Sequence, residues 1–140
     1  MENTKSIITV ETIIPASIEK VWLYWTTPEH IIQWNNASAD WCTPHASNDL
    51  QVGGRFLYRM ESTDGSMGFD FEGTYDEVLF EKSIVYTMDD SRKVTILFSA
   101  DGHDTKITES FEAEQTNAEE LQRAGWQAIL DNFKRHVESN

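Results

Sequence analysis

Two neighbouring segments of the chain alternate strictly between apolar and polar residues, a pattern that is typical of half-buried β-strands. The segments span residues 55–61 and 68–78 and are separated by a polar turn. If Met60 pairs with Phe69, the aromatic side chains of both segments fall on one face. A shift of one residue would mix the two faces, so the sequence predicts a single antiparallel register. The shared apolar face then contains Phe56, Tyr58, Met60, Phe69, Phe71 and Tyr75.

The same alternation predicts two further hairpins, with turns at residues 89–92 and 101–104. Residues 7–14 form an additional predicted strand before the helices, and residues 40–45 an irregular one. The sequence therefore predicts an antiparallel sheet of six or seven strands.

Two short helices are predicted directly after the first strand. Ser17 is a favourable N-cap for the first of them. Thr27 is the predicted cap of the second, which has Pro28 at its first position.

A long amphipathic helix is predicted over residues 117–138. Thr116 and Glu119 match the Thr-x-x-Glu capping box at its start. The stripe facing the sheet becomes polar towards the N-terminal half, where Gln122 and Glu119 lie on it. Its apolar part contains Trp126, Ile129, Leu130, Phe133 and Val137. The predicted fold class is α+β, a curved antiparallel sheet wrapped around this helix.

Composition excludes several classes of function. The chain of 140 residues suits one domain over residues 1–140 and carries a net charge of −13, which would repel nucleic acid. The longest apolar run, residues 21–25, is too short to insert into a membrane. Cys42 is the only cysteine, so no intramolecular disulfide is expected. Together with a polar segment at Met1–Ser6 that does not resemble a signal peptide, this predicts a soluble, cytoplasmic protein.

Glu109 is the most informative single residue. Alternation places it opposite Ile96 on the apolar face, where no Lys or Arg is expected to offset its charge. It is then a ligand-binding or acid–base carboxyl in a cavity. The structural alternatives are a bulge that turns it outward, or a buried pair with Gln122 or the indole of Trp126.

A cavity is expected between the sheet and the N-terminal half of the long helix, because the helix stripe turns polar there. Trp34 is expected at its rim. No metal site or cofactor is predicted: the four histidines at 30, 45, 103 and 136 are scattered, and only His45 lies on a possible strand from which it could point inward. The predicted ligand-binding residues are Trp34, Phe56, Tyr58, Phe71, Tyr86, Ile96, Glu109, Gln122 and Trp126.

Several stretches resemble a known family over about residues 7–138. They are Pro15–Trp22, Thr27–His30 with Trp34, Val52–Phe56, Phe71–Tyr75, and Gly125–Trp126 with Leu130. These stretches resemble the helix-grip proteins of the START and birch-pollen-allergen (SRPBCC) superfamily. Within it, the chain is similar to the AHSA-like branch, named after the activator of the heat-shock-protein-90 ATPase. One departure is Asn35-Asn36, where many members carry Trp and Gly.

The resemblance implies an apolar cavity between sheet and helix, and three kinds of function. The first, which the sequence favours, is a soluble protein that binds a small, mainly apolar molecule. The second is an enzyme of the cyclase or hydrolase type that uses Glu109. The third is a regulator that contacts a chaperone, by family analogy alone. A homodimer is also possible for an open sheet with a free edge.

Overall fold

The computed structural model describes residues 6–140, which form one seven-stranded antiparallel sheet and three helices. Met1–Lys5 lie outside the described residues. The prediction that the first residues are not a signal peptide and the prediction of a single domain over residues 1–140 therefore stay predictions. The strands are β1 (Ile7–Ile14), β2 (Trp41–Asn48), β3 (Arg55–Ser62), β4 (Gly68–Leu79), β5 (Ser83–Met88), β6 (Lys93–Asp101) and β7 (Asp104–Glu112). The helices are α1 (Ile18–Thr26), α2 (Pro28–Trp34) and α3 (Glu119–Ser139).

The sheet has the strand order β1-β7-β6-β5-β4-β3-β2. Successive strands from β2 to β7 are therefore neighbours, and β1 joins the sheet beside the last strand. The sheet curls around α3, and the two short helices follow β1. This confirms the predicted α+β, helix-grip class.

The predicted registers are also confirmed. Met60 pairs with Phe69, Tyr58 with Phe71, and Ile96 with Glu109. Alternation determines these registers because each of these strands presents one face to the interior.

The interior lies between the concave face of the sheet and α3. Leu130, Phe133 and Val137 of the helix are buried. Trp126 is half-buried and stacks on Phe111 of β7, with ring centroids 3.9 Å apart and an interplanar angle of 12°. The predicted apolar stripe of α3 thus packs on the sheet.

The start of α3 differs from the predicted cap, whereas α2 begins as predicted. Ala118 is the N-cap of α3 and makes no side-chain cap bond, so the predicted capping box of Thr116 and Glu119 is wrong. The preceding loop is instead held by Glu114, whose carboxylate accepts the backbone N–H of Asn117 at 2.5 Å. Thr27 is the N-cap of α2, as predicted, but its hydroxyl makes no cap bond and donates to the carbonyl of Leu23 in α1 at 2.6 Å.

Strand β2 is longer than predicted and irregular. It runs to Asn48, and its register against β3 shifts between Cys42 and His45. Pro44 lies in this shift, where an edge strand tolerates a residue without an N–H group. The shift leaves His45 exposed, so none of its ring points into the interior.

No helix within residues 6–140 is long and apolar enough to cross a membrane.

Candidate ligand-binding site

A cavity of about 380 Å³ lies between the concave face of the sheet and the N-terminal half of α3. Its size falls in the range of pockets for small ligands. Its lining comes from both sides of the molecule: Trp25, Trp34, Asn35, Ala37, Tyr58, Met60, Phe69, Phe71, Tyr86, Arg92, Ile96, Glu109, Glu114, Asn117, Leu121, Gln122, Gly125, Trp126 and Ile129.

All of the predicted ligand-binding residues except Phe56 line this cavity. Phe56 is buried opposite Gly73, and a Cβ atom at Gly73 would lie 3.0 Å from its ring. The ring of Phe56 therefore occupies the space that the glycine leaves, and it borders a separate void of only about 20 Å³. That the lining residues bind a ligand stays a prediction.

Trp34 forms a buried wall of the cavity, not its rim. Only 3% of it is exposed, because its ring packs against Trp25 and Phe133 at centroid distances of 4.8 Å. The indole N–H donates to the carbonyl of Tyr24 at 3.0 Å, so its one polar atom is already bonded. Trp34 therefore presents only apolar surface to the cavity.

Glu109 faces the cavity and is only 6% exposed. Its strand pairs without a register shift on both sides, with Val10 of β1 and Ile96 of β6, so no bulge turns the side chain outward. Within the described residues no group forms a hydrogen bond or ion pair with its carboxyl. Neither structural alternative predicted for this residue is formed.

Burial determines the ionisation of this side of the cavity. Loss of water raises the pKa of Glu109 to about 8, so its carboxyl is mostly protonated at neutral pH. Burial also raises the pKa of the Tyr58 and Tyr86 hydroxyls well above the usual value, and the charge of Glu109 adds to both shifts. At neutral pH these three groups are therefore neutral O–H groups.

Arg92 is a lining residue that the sequence analysis missed. Its Nε donates to Asp90 at 2.9 Å, and a second guanidinium nitrogen lies 3.9 Å from the sulfur of Met88. Arg92 thus brings a positive charge to the cavity lining, although burial alone shifts the pKa of Glu109. Arg92 lies next to the turn between β5 and β6, where alternation does not indicate which side a residue faces. The Asp-x-Arg spacing of that turn is the only signal that could have indicated the ion pair.

Gln122 lines the cavity, but its amide group bonds the backbone of the loop before α3. Its Oε1 accepts the backbone N–H of Glu114 at 2.9 Å, and its Nε2 donates to the carbonyls of Glu114 and Asn117 at 3.1 and 2.8 Å. These bonds fix the loop before α3. Glu119, predicted on the inner stripe, is exposed.

Two of the histidines form a pair outside the cavity. Nδ1 of His30 lies 2.9 Å from Nε2 of His136, and Tyr24 stacks on His30. The prediction of scattered histidines is wrong for these two, which folding brings together across 106 positions of the chain. Residues 6–140 contain no group of three or more His, Cys, Asp or Glu that could hold a metal ion.

Residues 15–138 match the family described as Activator of Hsp90 ATPase homolog 1-like protein. The solution structure of the AHSA1-like protein from Aeromonas hydrophila is 45% identical, with a TM-score of 0.90 over 96% of this chain and 93% of that one. A solution structure from Cytophaga hutchinsonii is 53% identical, with a TM-score of 0.83 over 95% and 92% of the two chains. A crystal structure from Nitrosomonas europaea, 19% identical with a TM-score of 0.83 over 95% and 94%, shares the fold alone. No curated protein matches the chain.

Proposed function

The chain belongs to the family of Activator of Hsp90 ATPase homolog 1-like proteins, and we propose that it binds a small, mainly apolar molecule between its sheet and α3. The observation that carries this proposal is the cavity of about 380 Å³, walled largely by aromatic side chains, with one unpartnered carboxyl inside it. Such a space with few polar groups is typical of small-molecule sites.

The aromatic walls supply the apolar contact. Trp34, Tyr58, Phe71, Tyr86 and Trp126 all line the cavity and come from five different elements. Large rings packed against a ligand contribute both buried area and preferred edge-to-face geometry. A hydrophobic molecule would therefore gain contacts on several sides at once.

The energetic cost of burying the Glu109 carboxyl supports a ligand-binding cavity at this position over a solidly packed core. Removal of its charge from water is the cost that Glu109 imposes, as the raised pKa of its carboxyl shows, whereas an aliphatic residue there would carry no such cost. A ligand that bonds the carboxyl would remove that cost in the complex. We infer that Glu109 is the polar anchor of the bound molecule.

The cavity opens where its lining is exposed. Phe69 and Leu121 are 47% and 63% exposed, and both border the cavity. Exposed apolar side chains at an opening give an apolar molecule a continuous path from water to the interior.

Gly125 offers a direct test of the cavity. It lies on α3 in the lining, and a Cβ atom placed there would meet no atom within 4 Å. We expect Gly125→Leu to fill the cavity and to abolish binding of N-phenyl-1-naphthylamine, a neutral apolar dye, measured by its fluorescence. Ala124→Leu, at the exposed neighbouring position, is the matched control and should leave the dye affinity unchanged.

Native mass spectrometry of freshly purified wild-type protein complements this test. A small molecule that co-purifies with the wild type and not with Gly125→Leu would support the proposal. Equal dye binding by wild type and Gly125→Leu, in a folded variant, would contradict it.

The other sequence-based functions stay predictions. Glu109 as the acid of a cyclase or hydrolase requires a substrate in the same cavity, so it depends on the same test. The family description refers to activation of the Hsp90 ATPase, and a chaperone contact for this chain rests on that description alone. Cytoplasmic location and a homodimer likewise stay predictions.

A further inference from the structure

We propose that the ligand of this cavity is an apolar amine, with its ammonium group bound by the carboxylate of Glu109 and its apolar body against the aromatic walls. This inference rests on the proposed function and names the chemical class of its ligand. It depends on the acceptor, the rings and the charges around the cavity.

The acceptor is a carboxyl with no other partner. Glu109 is 6% exposed, lines the cavity and has no hydrogen bond or ion pair within residues 6–140. An ammonium group carries three N–H donors and no acceptor, so it can bond the carboxylate and neutralise its charge. A purely apolar ligand would leave this group unbonded.

The rings favour a cation near that carboxyl. Tyr58, Tyr86 and Trp126 line the same cavity as Glu109. Tyr58 and Phe71 stack with centroids 6.3 Å apart, and Phe71 meets Trp126 edge-on at 6.3 Å. The faces of aromatic rings attract cations, most strongly where water is excluded. An ammonium group in this cavity therefore lies among aromatic rings as well as beside an anion.

The remaining ionisable lining groups do not supply a free cation. Tyr58 and Tyr86 face the cavity from β3 and β5 and are neutral. Arg92 is already paired with Asp90, and the carboxylate of Glu114 accepts bonds from Asn117 at 2.5 and 3.1 Å. The lining residues on α3 are uncharged. An anionic ligand would thus meet no unpaired positive charge in this lining.

The electrostatic field of the whole chain also favours a cationic ligand. A net charge of −13 attracts cations and repels anions during diffusion to the protein. A ligand with a positive group therefore arrives faster than a neutral or anionic molecule of the same shape, and salt reduces this advantage.

Binding of an amine is coupled to one proton. Free Glu109 has a pKa near 8 and holds a proton at neutral pH, while an alkyl amine is already an ammonium ion. Formation of the ion pair therefore releases the carboxyl proton to the solvent. The affinity should rise about tenfold per pH unit below a pH of about 8 and then level off. A ligand that accepts a hydrogen bond from the protonated carboxyl of Glu109 would show the reverse, with affinity lost above that pH.

The test compares two probes of nearly the same shape, 1-naphthylmethylamine and 1-naphthylmethanol. We expect calorimetry of the wild type to show amine affinity that rises about tenfold per unit between about pH 6 and 8, with about 0.9 proton released at neutral pH. The affinity of the alcohol should change by no more than about twofold over that range, because about half of the Glu109 carboxyls still hold a proton at pH 8. Glu109→Gln should bind the amine more weakly and lose the pH dependence of binding, whereas Glu120→Gln, at an exposed position outside the cavity, should bind the amine as the wild type does.

The outcomes separate the two proposals. Amine and alcohol affinities that stay equal at every pH would overturn the amine class and leave the apolar binding function standing. If the amine, the alcohol and the apolar dye all fail to bind, both the amine class and the apolar binding function are overturned. Proton release is measured on the wild type, so the amine class can be rejected even if Glu109→Gln does not fold.

Discussion

A single side chain, Glu109, connects the stability of this protein with its chemistry. Buried and less buried residues alternate along β7, and Glu109 occupies one of the buried positions although it carries a carboxyl group. Alternation was enough to predict its direction, because β7 is flanked on both sides by regular partners. Arg92 could not be placed in the same way, since it lies next to a turn and pairs with a neighbour in that turn.

The raised pKa of Glu109 predicts how the stability of the empty protein depends on pH. The folded carboxyl holds its proton up to a pH of about 8, whereas the unfolded one loses it near 4.3. Between these values the folded carboxyl binds more protons than the unfolded one, so the contribution of Glu109 to stability falls as pH rises, by up to about 1.4 kcal/mol per unit, and levels off above the folded value.

Glu109→Gln isolates this contribution, because the amide does not titrate. We expect the variant to gain stability relative to wild type as pH rises from about 4.3 to 8, measured by urea unfolding across that range. Glu120→Gln, at an exposed position of α3, should show no such trend. A constant difference between Glu109→Gln and wild type at every pH would contradict the assignment.

At the scale of elements, the start of α3 is set by contacts that local spacing does not reveal. Residues 116–119 match a capping box, but the side chains of Gln122 and Glu114 hold the loop before the helix. The helix therefore begins at Glu119 with Ala118 as N-cap. The strand registers were predictable because each depends on a repeated two-residue pattern. Helix caps depend on single bonds that compete, and His30 meets His136 only after the whole chain has folded.

The amide of Gln122 should therefore contribute to stability through the loop that it holds. We expect Gln122→Leu to lower the free energy of unfolding by about 1–3 kcal/mol, because the loop groups lose buried partners. Gln127→Leu is the matched control: its amide bonds the carbonyl of Glu11 at 3.2 Å in an exposed place. Chemical denaturation should show a clearly smaller loss for that variant, and equal losses would contradict the role of Gln122.

On the scale of the whole molecule, electrostatic repulsion among the excess acidic residues is the dominant long-range interaction. The described ion pairs that involve Arg55, Arg59 and Lys93 are largely exposed and contribute little each. The net charge of −13 is therefore mainly a source of repulsion within the folded chain.

Salt should stabilise the empty protein by screening that repulsion. We expect Tm to rise as sodium chloride increases from about 0.01 to 0.15 M at neutral pH, as the screening length falls from about 30 to 8 Å. A gain of about 1 kcal/mol corresponds to roughly 2–4 °C for a chain of this size. Near the isoelectric point, about pH 4.5, the same salt series should leave Tm almost unchanged. A fall of Tm with salt at neutral pH would show that attractive ion pairs dominate instead.

The pairing of β1 with β7 has a consequence for how the chain is made. The hydroxyls of Thr9 and Ser110 lie 3.0 Å apart in the sheet but are 101 positions apart in the sequence. A ribosome releases β1 well before β7, so β1 has no partner in the sheet until β7 has also emerged. Its buried face, Ile8, Val10 and Ile14, stays uncovered for that time. Closure of so long a loop is slow compared with hairpin formation, and we expect the β2–β6 meander to form first and β1 to dock last.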